Sequence, residues 1–176
     1  MQLLEEQELI KGCLENQRQA QYLLYKTFYE QFIRVCRRYI KSECEAKEVL
    51  NTAFYKIFSK IHSYAGSGNF TGWMQKIVVN TALDYIKSNK KYSVEVDLEE
   101  AEHFSEHKME NSFHPNDLLN MLHSLPENQL QVFNLFAMEG YSHAEIAEQL
   151  NISEANSKWL LFNARKKLQA LVNQHD

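Results

Sequence analysis

The sequence predicts an all-α protein: two small helical domains joined by an acidic linker, the C-terminal one a helix-turn-helix. Three observations predict it. Apolar residues recur at helical spacing over long stretches, with only 5 Gly and 2 Pro among 176 residues and no sustained apolar/polar alternation. Charge is segregated: residues 1–91 carry 14 Lys and Arg against 9 Asp and Glu, residues 92–117 one Lys against 8 acids, and residues 118–176 4 basic against 6 acidic residues. Residues 140–168 carry helix-start signals at two places separated by a short turn. The domain boundaries are 1–91, then a linker over 92–116, then 117–176. Each domain lies near the lower size limit for a self-sufficient core.

The first domain reads as three or four helices. Leu3, Leu4, Leu9, Ile10 and Leu14 mark a short one. Tyr25, Phe28, Tyr29, Phe32, Cys36, Tyr39 and Ile40 give residues 18–41 an aromatic face. Ala46, Val49, Leu50, Ala53, Phe54, Ile57, Phe58 and Ile61 keep the three-four pattern without a miss. Residues 64–69, with Gly66, Ser67, Gly68 and Asn69, break the periodicity as an exposed loop. A fourth helix over 70–91 places Trp73, Lys76, Asn80, Lys87 and Lys91 close to one face, with Lys90 beside them. Aromatic, amide and basic groups in one stripe suit a single-stranded nucleic acid. Taken alone, the stripe reads better as core (Trp73 with Phe70 and Ile77) and as lysines favouring the helix dipole. The helix-turn-helix downstream tilts it toward nucleic acid.

Residues 92–115 show no periodicity and are dominated by glutamates, as in an extended or locally helical linker. Leu118, Leu119, Met121, Leu122 and Leu125 open the second domain. Pro126 suits the first turn of a helix carrying Val132, Phe133, Leu135, Phe136 and Met138, which Gly140 stops. Ser142 and Glu145 form a capping box for a helix expected to bury Ala144, Ile146, Ala147 and Leu150. Asn151 and Ile152 make the turn, and Ser153 caps a second helix over 154–172. Its expected core stripe is Leu161, Ala164, Leu168 and Leu171; opposite lie Asn156, Trp159, Asn163 and Lys166. Asn can pair with adenine, Trp offers apolar contact and Lys reaches phosphate. Ser153, Lys158, Arg165 and Lys167 add backbone contacts. Trp159 fits either DNA contact or packing against protein.

No apolar run approaches a membrane span, and the acidic, polar N-terminus does not read as a signal peptide. Cys13, Cys36 and Cys44 are odd in number and lack metal-site spacing, so reduced thiols in a cytoplasmic protein are expected. His103 and His107, with Glu106 nearby, have the i, i+4 spacing of metal ligands, but lack the His-Glu-x-x-His order. No nucleophile–base pair or phosphate loop suggests catalysis, and His62, His114, His123, His143 and His175 read as solvent-exposed. No enzyme activity, metal or cofactor is expected.

With these pieces in order, the chain resembles the sigma-70 family of bacterial RNA polymerase sigma factors, in its extracytoplasmic-function (ECF) group. The likeness spans nearly the whole sequence. Residues 45–58 (EAKEVLNTAFYKIF) resemble the family's acidic helix that binds the β′ clamp helices. Residues 70–85 (FTGWMQKIVVNTALDY) resemble its segment for melting and reading the −10 element. Leu125-Pro126, Val132-Phe133, residues 139–147 (EGYSHAEIA) and 164–168 (ARKKL) resemble its −35-reading domain. The resemblance implies core-polymerase contacts at Glu45, Glu48, Val49, Asn51, Thr52 and Phe54. It implies −10 contacts at Gly66, Ser67, Asn69, Trp73, Lys76, Asn80, Asp84, Lys87, Lys90 and Lys91, where the 64–69 loop captures a flipped base. For the −35 element it implies Ser153, Glu154, Asn156, Ser157, Lys158, Trp159, Asn163, Arg165 and Lys166. The implied partners are core RNA polymerase (β′ clamp helices and β flap), promoter DNA, and an anti-sigma factor of the kind often membrane-anchored. The linker would thread toward the polymerase active-site cleft and RNA exit path.

Departures from the family pattern stand out. Its Gln-Glu pair in the clamp-binding helix is Asn51-Thr52 here, and its central acid is Lys47. In the recognition helix two frequent arginines are Leu160 and Asn163, and a serine is Trp159; Leu130 replaces another common arginine. Fewer cations imply a shallower salt dependence of −35 binding. The competing reading is a stand-alone helix-turn-helix regulator, dimeric on duplex DNA and independent of polymerase, which has no use for the basic first domain.

Overall fold

Gly12 lies where the first two helices cross, because a Cβ there would stand 2.6 Å from the Cβ of Ala20. In the computed structural model, which describes residues 3–64, 66, 68–93 and 115–173, α1 (Leu3–Leu14) packs against α2 (Arg18–Tyr39) through this close approach. Asn16, at φ 55°, turns the chain between them. Helix α3 (Glu43–Lys60) follows, with the Ser42 hydroxyl accepting from the Glu45 N–H as its cap. A 3₁₀ turn (Ile61–Ser63) leads through the 64–69 loop to α4 (Phe70–Ser93). The chain divides into two compact units, Met1–Tyr92 and Ser93–Asp176, each with its own core.

The core of the first unit is aromatic. Phe28 stacks on Phe32 with centroids 5.5 Å apart, Phe32 meets Phe54 at 6.0 Å, and Tyr25 meets Phe54 at 4.6 Å. Tilted and offset pairs of this kind suit the ring quadrupoles. Leu24, Ile33, Leu50, Ile57, Met74 and Val78 close around them, fully buried. Helix α4 buries Phe70, Met74, Val78, Val79, Ala82, Leu83 and Ile86, more than half its circumference. The sequence-expected residues on α2 are buried from Phe28 to Ile40, while Tyr25 and Tyr29 are only half-buried. Burial pushes the Cys13 thiol up to about 11 and the Cys36 thiol up to about 12, so both stay protonated and unreactive near neutrality.

In the second unit, α5 (Pro115–His123) is followed by α6 (Glu127–Phe133), which widens into a π turn over Asn134–Met138. Pro126 stands at the N-cap of α6, one position before the expected first turn. Gly140, at φ +76°, ends the π turn where a side chain would be strained. Helix α7 (His143–Leu150) starts at the expected capping box: the Ser142 hydroxyl accepts from the Glu145 N–H, and the Glu145 carboxylate accepts from the Ser142 N–H at 2.8 Å. Asn151, in the left-handed region at φ 53°, closes α7. Ser153 caps α8 (Glu154–Val172) by accepting from the Asn156 N–H.

Helix α8 packs on α5, α6 and α7. Leu122, Leu125, Leu130 and Ala164 form the centre of this core, flanked by Phe133 and Leu168. Two expectations change. On α7 only Ile146 is buried; Ala144 is exposed, and Ala147 and Leu150 are partly covered, because a helix of eight residues laid against α8 and the π turn buries a single stripe. On α8 the buried side is Ser157, Leu160, Leu161 and Ala164, with Leu168 and Leu171 at its edge.

Candidate nucleic-acid interface

On α3 the structure separates the candidates by helical phase. Val49 and Phe54 are each 2% exposed and belong to the core, so neither offers its side chain to a partner. Their place in the candidate set came from the linear likeness, whereas the alternation of faces buries them. Glu48, Asn51 and Thr52 are exposed, and Glu45 is half-buried beside its cap. The Tyr25 hydroxyl donates to Asn51 Oδ1 at 3.1 Å, which joins the outer edges of α2 and α3. Tyr55, 73% exposed, continues this face, with Tyr22 solvent-facing on α2. Sequence reasoning missed Tyr55; its signal was an aromatic standing off the apolar stripe of α3. Lys47, at the position of the family's acid, bonds Glu43 at 3.0 Å, and Arg37 holds the same carboxylate at 2.8 Å. These two cations, led by Lys47, keep the exposed Glu43 carboxyl below its ordinary range.

The loop before α4 is tied at both ends. The Tyr64 hydroxyl donates to the Gly68 carbonyl at 2.8 Å, and Asn69 Oδ1 accepts from the Gly72 N–H at 3.1 Å. Asn69 is therefore the cap of α4. Gly66 and Gly68 hold φ of +70° and +105°, backbone that suits glycine. Trp73 stacks on the buried Phe70 (5.7 Å, 13°), meets Tyr64 at 5.5 Å and is half-buried. It is both a core residue and an edge of the surface. Lys76 and Lys87 are exposed on the same stripe, with Asn80 half-buried between them. Asp84 receives Lys56 Nζ from α3 at 3.1 Å, which pins α4 to α3. Ser67 lies outside the described residues, and the same holds for the side chains of Lys90 and Lys91.

The second unit brings two polar side chains together that the sequence placed at the surface. Ser157 is fully buried, and its hydroxyl lies 2.9 Å from His143 Nδ1. His143 stacks on Phe136 (4.7 Å, 24°), and the Arg165 guanidinium sits 5.5 Å above the same ring. Ser157 thus locks α8 to α7 and is not a DNA contact; nor is His143 the solvent-exposed histidine expected. Both sit where the short α7 packs on the longer α8. Asn163 Nδ2 donates back to the Trp159 carbonyl at 2.9 Å, and Lys158 lies 3.9 Å from Glu154. Trp159 (60%) and Phe162 (66%) are among the most exposed apolar side chains. Glu154, Asn156 and Lys166 are exposed too.

Among the described residues no helix is long and apolar enough to cross a membrane, and no group of three His, Cys, Asp or Glu residues could hold a metal ion. His103, Glu106 and His107 lie outside the described residues, as does most of the acidic linker.

Two family profiles match the chain: "Sigma-70 region 2" over residues 24–92 and "Sigma-70, region 4" over residues 116–168. The chain belongs to the sigma-70 family. Full-length relatives put it in the extracytoplasmic-function group. It is 26% identical to the ECF RNA polymerase sigma factor SigM of Bacillus subtilis, covering 86% of this chain and 94% of the relative. It is also 26% identical to the ECF RNA polymerase sigma-E factor of Escherichia coli, covering 97% and 98%. The fold is shared with the sigma factor RpoE of Bartonella quintana, solved in complex with the anti-sigma factor NepR (TM-score 0.57, 18% identity, 85% of this chain and 96% of that one). It is shared as well with CnrH in complex with the cytosolic domain of CnrY (TM-score 0.55, 18% identity, 96% and 97%). This sigma factor is a transcription initiation factor that directs RNA polymerase to promoters, and the stand-alone regulator is not favoured.

Proposed function

We propose that the region 2 unit binds core RNA polymerase through the outer face of α3 and that the two units read the two promoter elements. The observation that carries this reading is the order of surfaces along one chain: a polar helix face, an aromatic–basic stripe beside a tied loop, and a helix-turn-helix. Glu45, Glu48, Asn51 and Thr52 would meet the β′ clamp helices, joined by Tyr55. Asn51 and Thr52 replace the family's longer Gln-Glu pair, so shape and aromatic contact carry more of this interface than charge.

For the −10 element, the exposed part of Trp73 would stack on a base while Lys76 and Lys87 hold phosphates; Gly66, Ser67 and Asn69 would shape the pocket for a flipped base. Asn80, Lys90 and Lys91 complete that set, and Asp84 acts by positioning α4. For the −35 element, α8 would enter the major groove behind the Ser153 cap, with Asn156 and Trp159 toward bases and Lys158, Arg165 and Lys166 toward phosphates. An anti-sigma factor is the expected regulator, since both structural relatives above that share the fold were solved with a bound partner, one of them named an anti-sigma factor. The protein acts as a positioning factor with no chemistry of its own and works where the polymerase is.

Run-off transcription with purified core RNA polymerase on a random promoter library tests this reading. Transcripts should appear only when the protein is added and should start downstream of a shared two-part motif. Duplex binding by the protein alone, with no such transcripts from a competent core enzyme, would overturn it.

A further inference from the structure

One polar side chain of α8 is buried, and three others at its surface already touch groups of the fold. Ser157 is buried against His143, Asn163 is bonded to the Trp159 carbonyl, Arg165 covers Phe136, and Lys167 Nζ donates to the Ser124 carbonyl at 2.7 Å. At 100° per residue, with Ser157, Leu161 and Ala164 marking the buried side, the opposite side of α8 is Ala155, Trp159, Phe162 and Lys166. All four are exposed. The outermost stripe of the recognition helix is thus apolar for two turns and ends in a cation.

We infer that this sigma factor reads its −35 element chiefly by apolar contact, with Trp159 and Phe162 packing on the 5-methyl groups of thymines in the major groove. The inference rests on the region 4 unit being the duplex reader. Duplex DNA is the occupant the stripe fits, because it lies on the helix that a helix-turn-helix inserts into the groove. Lys166 sits on the same line, exposed, where it can reach a phosphate at the edge of the groove. Thymine is the base that presents a methyl group in that groove, so a surface with few hydrogen-bonding groups can still discriminate. Asn156, exposed beside the stripe, adds one amide for an adjacent adenine.

The test uses holoenzyme assembled from core polymerase and the full chain. Promoters are selected from a random upstream element. The winning −35 duplex is then resynthesised with deoxyuridine for thymine in that element alone. The expected result is thymine enrichment in the selected element and weaker binding of the uracil duplex, by about fourfold for each thymine methyl removed from the interface. In a Trp159→Ala/Phe162→Ala variant, whose melting temperature should match the parent, thymine and uracil duplexes should bind equally well. Selected elements without thymine, or equal parental affinity for the two duplexes, would overturn the inference while leaving the initiation-factor reading intact. A variant that keeps full promoter affinity would overturn it too and assign the stripe to a protein partner. Absence of promoter-directed transcripts from any template would remove the initiation-factor reading and this inference with it.

Discussion

The two units reach a folded state by different routes. Region 2 is built from helices of 12, 22, 18 and 24 residues, and its core is a continuous set of aromatic and aliphatic side chains. Region 4 sets one 19-residue helix against helices of 9, 7 and 8 residues. Helices that short have little stability of their own, so their ends matter as much as their faces. The Ser142–Glu145 box and Asn151 terminate α7, Ser153 caps α8, and the His143–Ser157 bond joins α7 to α8 from inside. The difference teaches where surface residues can be read. On long helices, phase separates core from surface; around short ones, polar residues are committed to caps that stay at the surface, and the Ser157–His143 clasp is drawn inward.

The comparison breaks most visibly at Phe54. Its replacement by Ala should cost about 3–5 kcal/mol and unfold region 2 well before region 4, measured as two separated melting transitions. Tyr55→Ala, one residue on, should leave melting within about 0.5 kcal/mol while weakening capture of core polymerase in a pull-down. Equal destabilisation by the two would show that phase does not divide this helix as described.

A smaller effect is expected at the clasp. Ser157→Ala leaves a half-buried imidazole without its hydroxyl partner and should destabilise region 4 by about 1–3 kcal/mol in chemical denaturation. If Ser157 instead contacted DNA, the variant would keep its stability and lose promoter affinity. Ser142→Ala opens the capping box at a cost of about 1 kcal/mol, again confined to region 4. The smallest change is predicted for Asp84→Ala, which removes a solvent-exposed pair with Lys56 worth under about 1 kcal/mol. Its signature would be a slight loss of stability in region 2 that disappears in high salt.

A last comparison sharpens the polymerase face. Thr52→Glu restores an acid at a position where the family carries one, and it should raise affinity for core polymerase modestly, with a steeper salt dependence, in a fluorescence titration. No change would mean that this helix relies on Tyr55 and its neighbours alone.

Much of this molecule was determined by the sequence alone. Apolar periodicity located α1 to α4 within a few residues, and the Ser/Glu and Ser signals located both helices of the helix-turn-helix, because caps and stripes are local properties of the chain. Motif order was enough to indicate the family. Tertiary structure decided which candidates can face a partner. Val49 and Phe54, already on the apolar stripe of α3, are inside, Phe54 against Tyr25 and Phe32 of α2. Ser157 and His143 meet because α7 crosses α8, a pairing across fourteen residues that neither local propensity nor motif spacing encodes. Trp73 divides between core and surface because Phe70 and Tyr64 pack against its ring while the residue stays partly exposed. Trp159 and Phe162 remain exposed because, among the described residues, no helix of region 4 packs over the outer side of α8. Local chemistry sets where helices begin and end; only the packing of one helix on another determines which of their side chains are left for a partner.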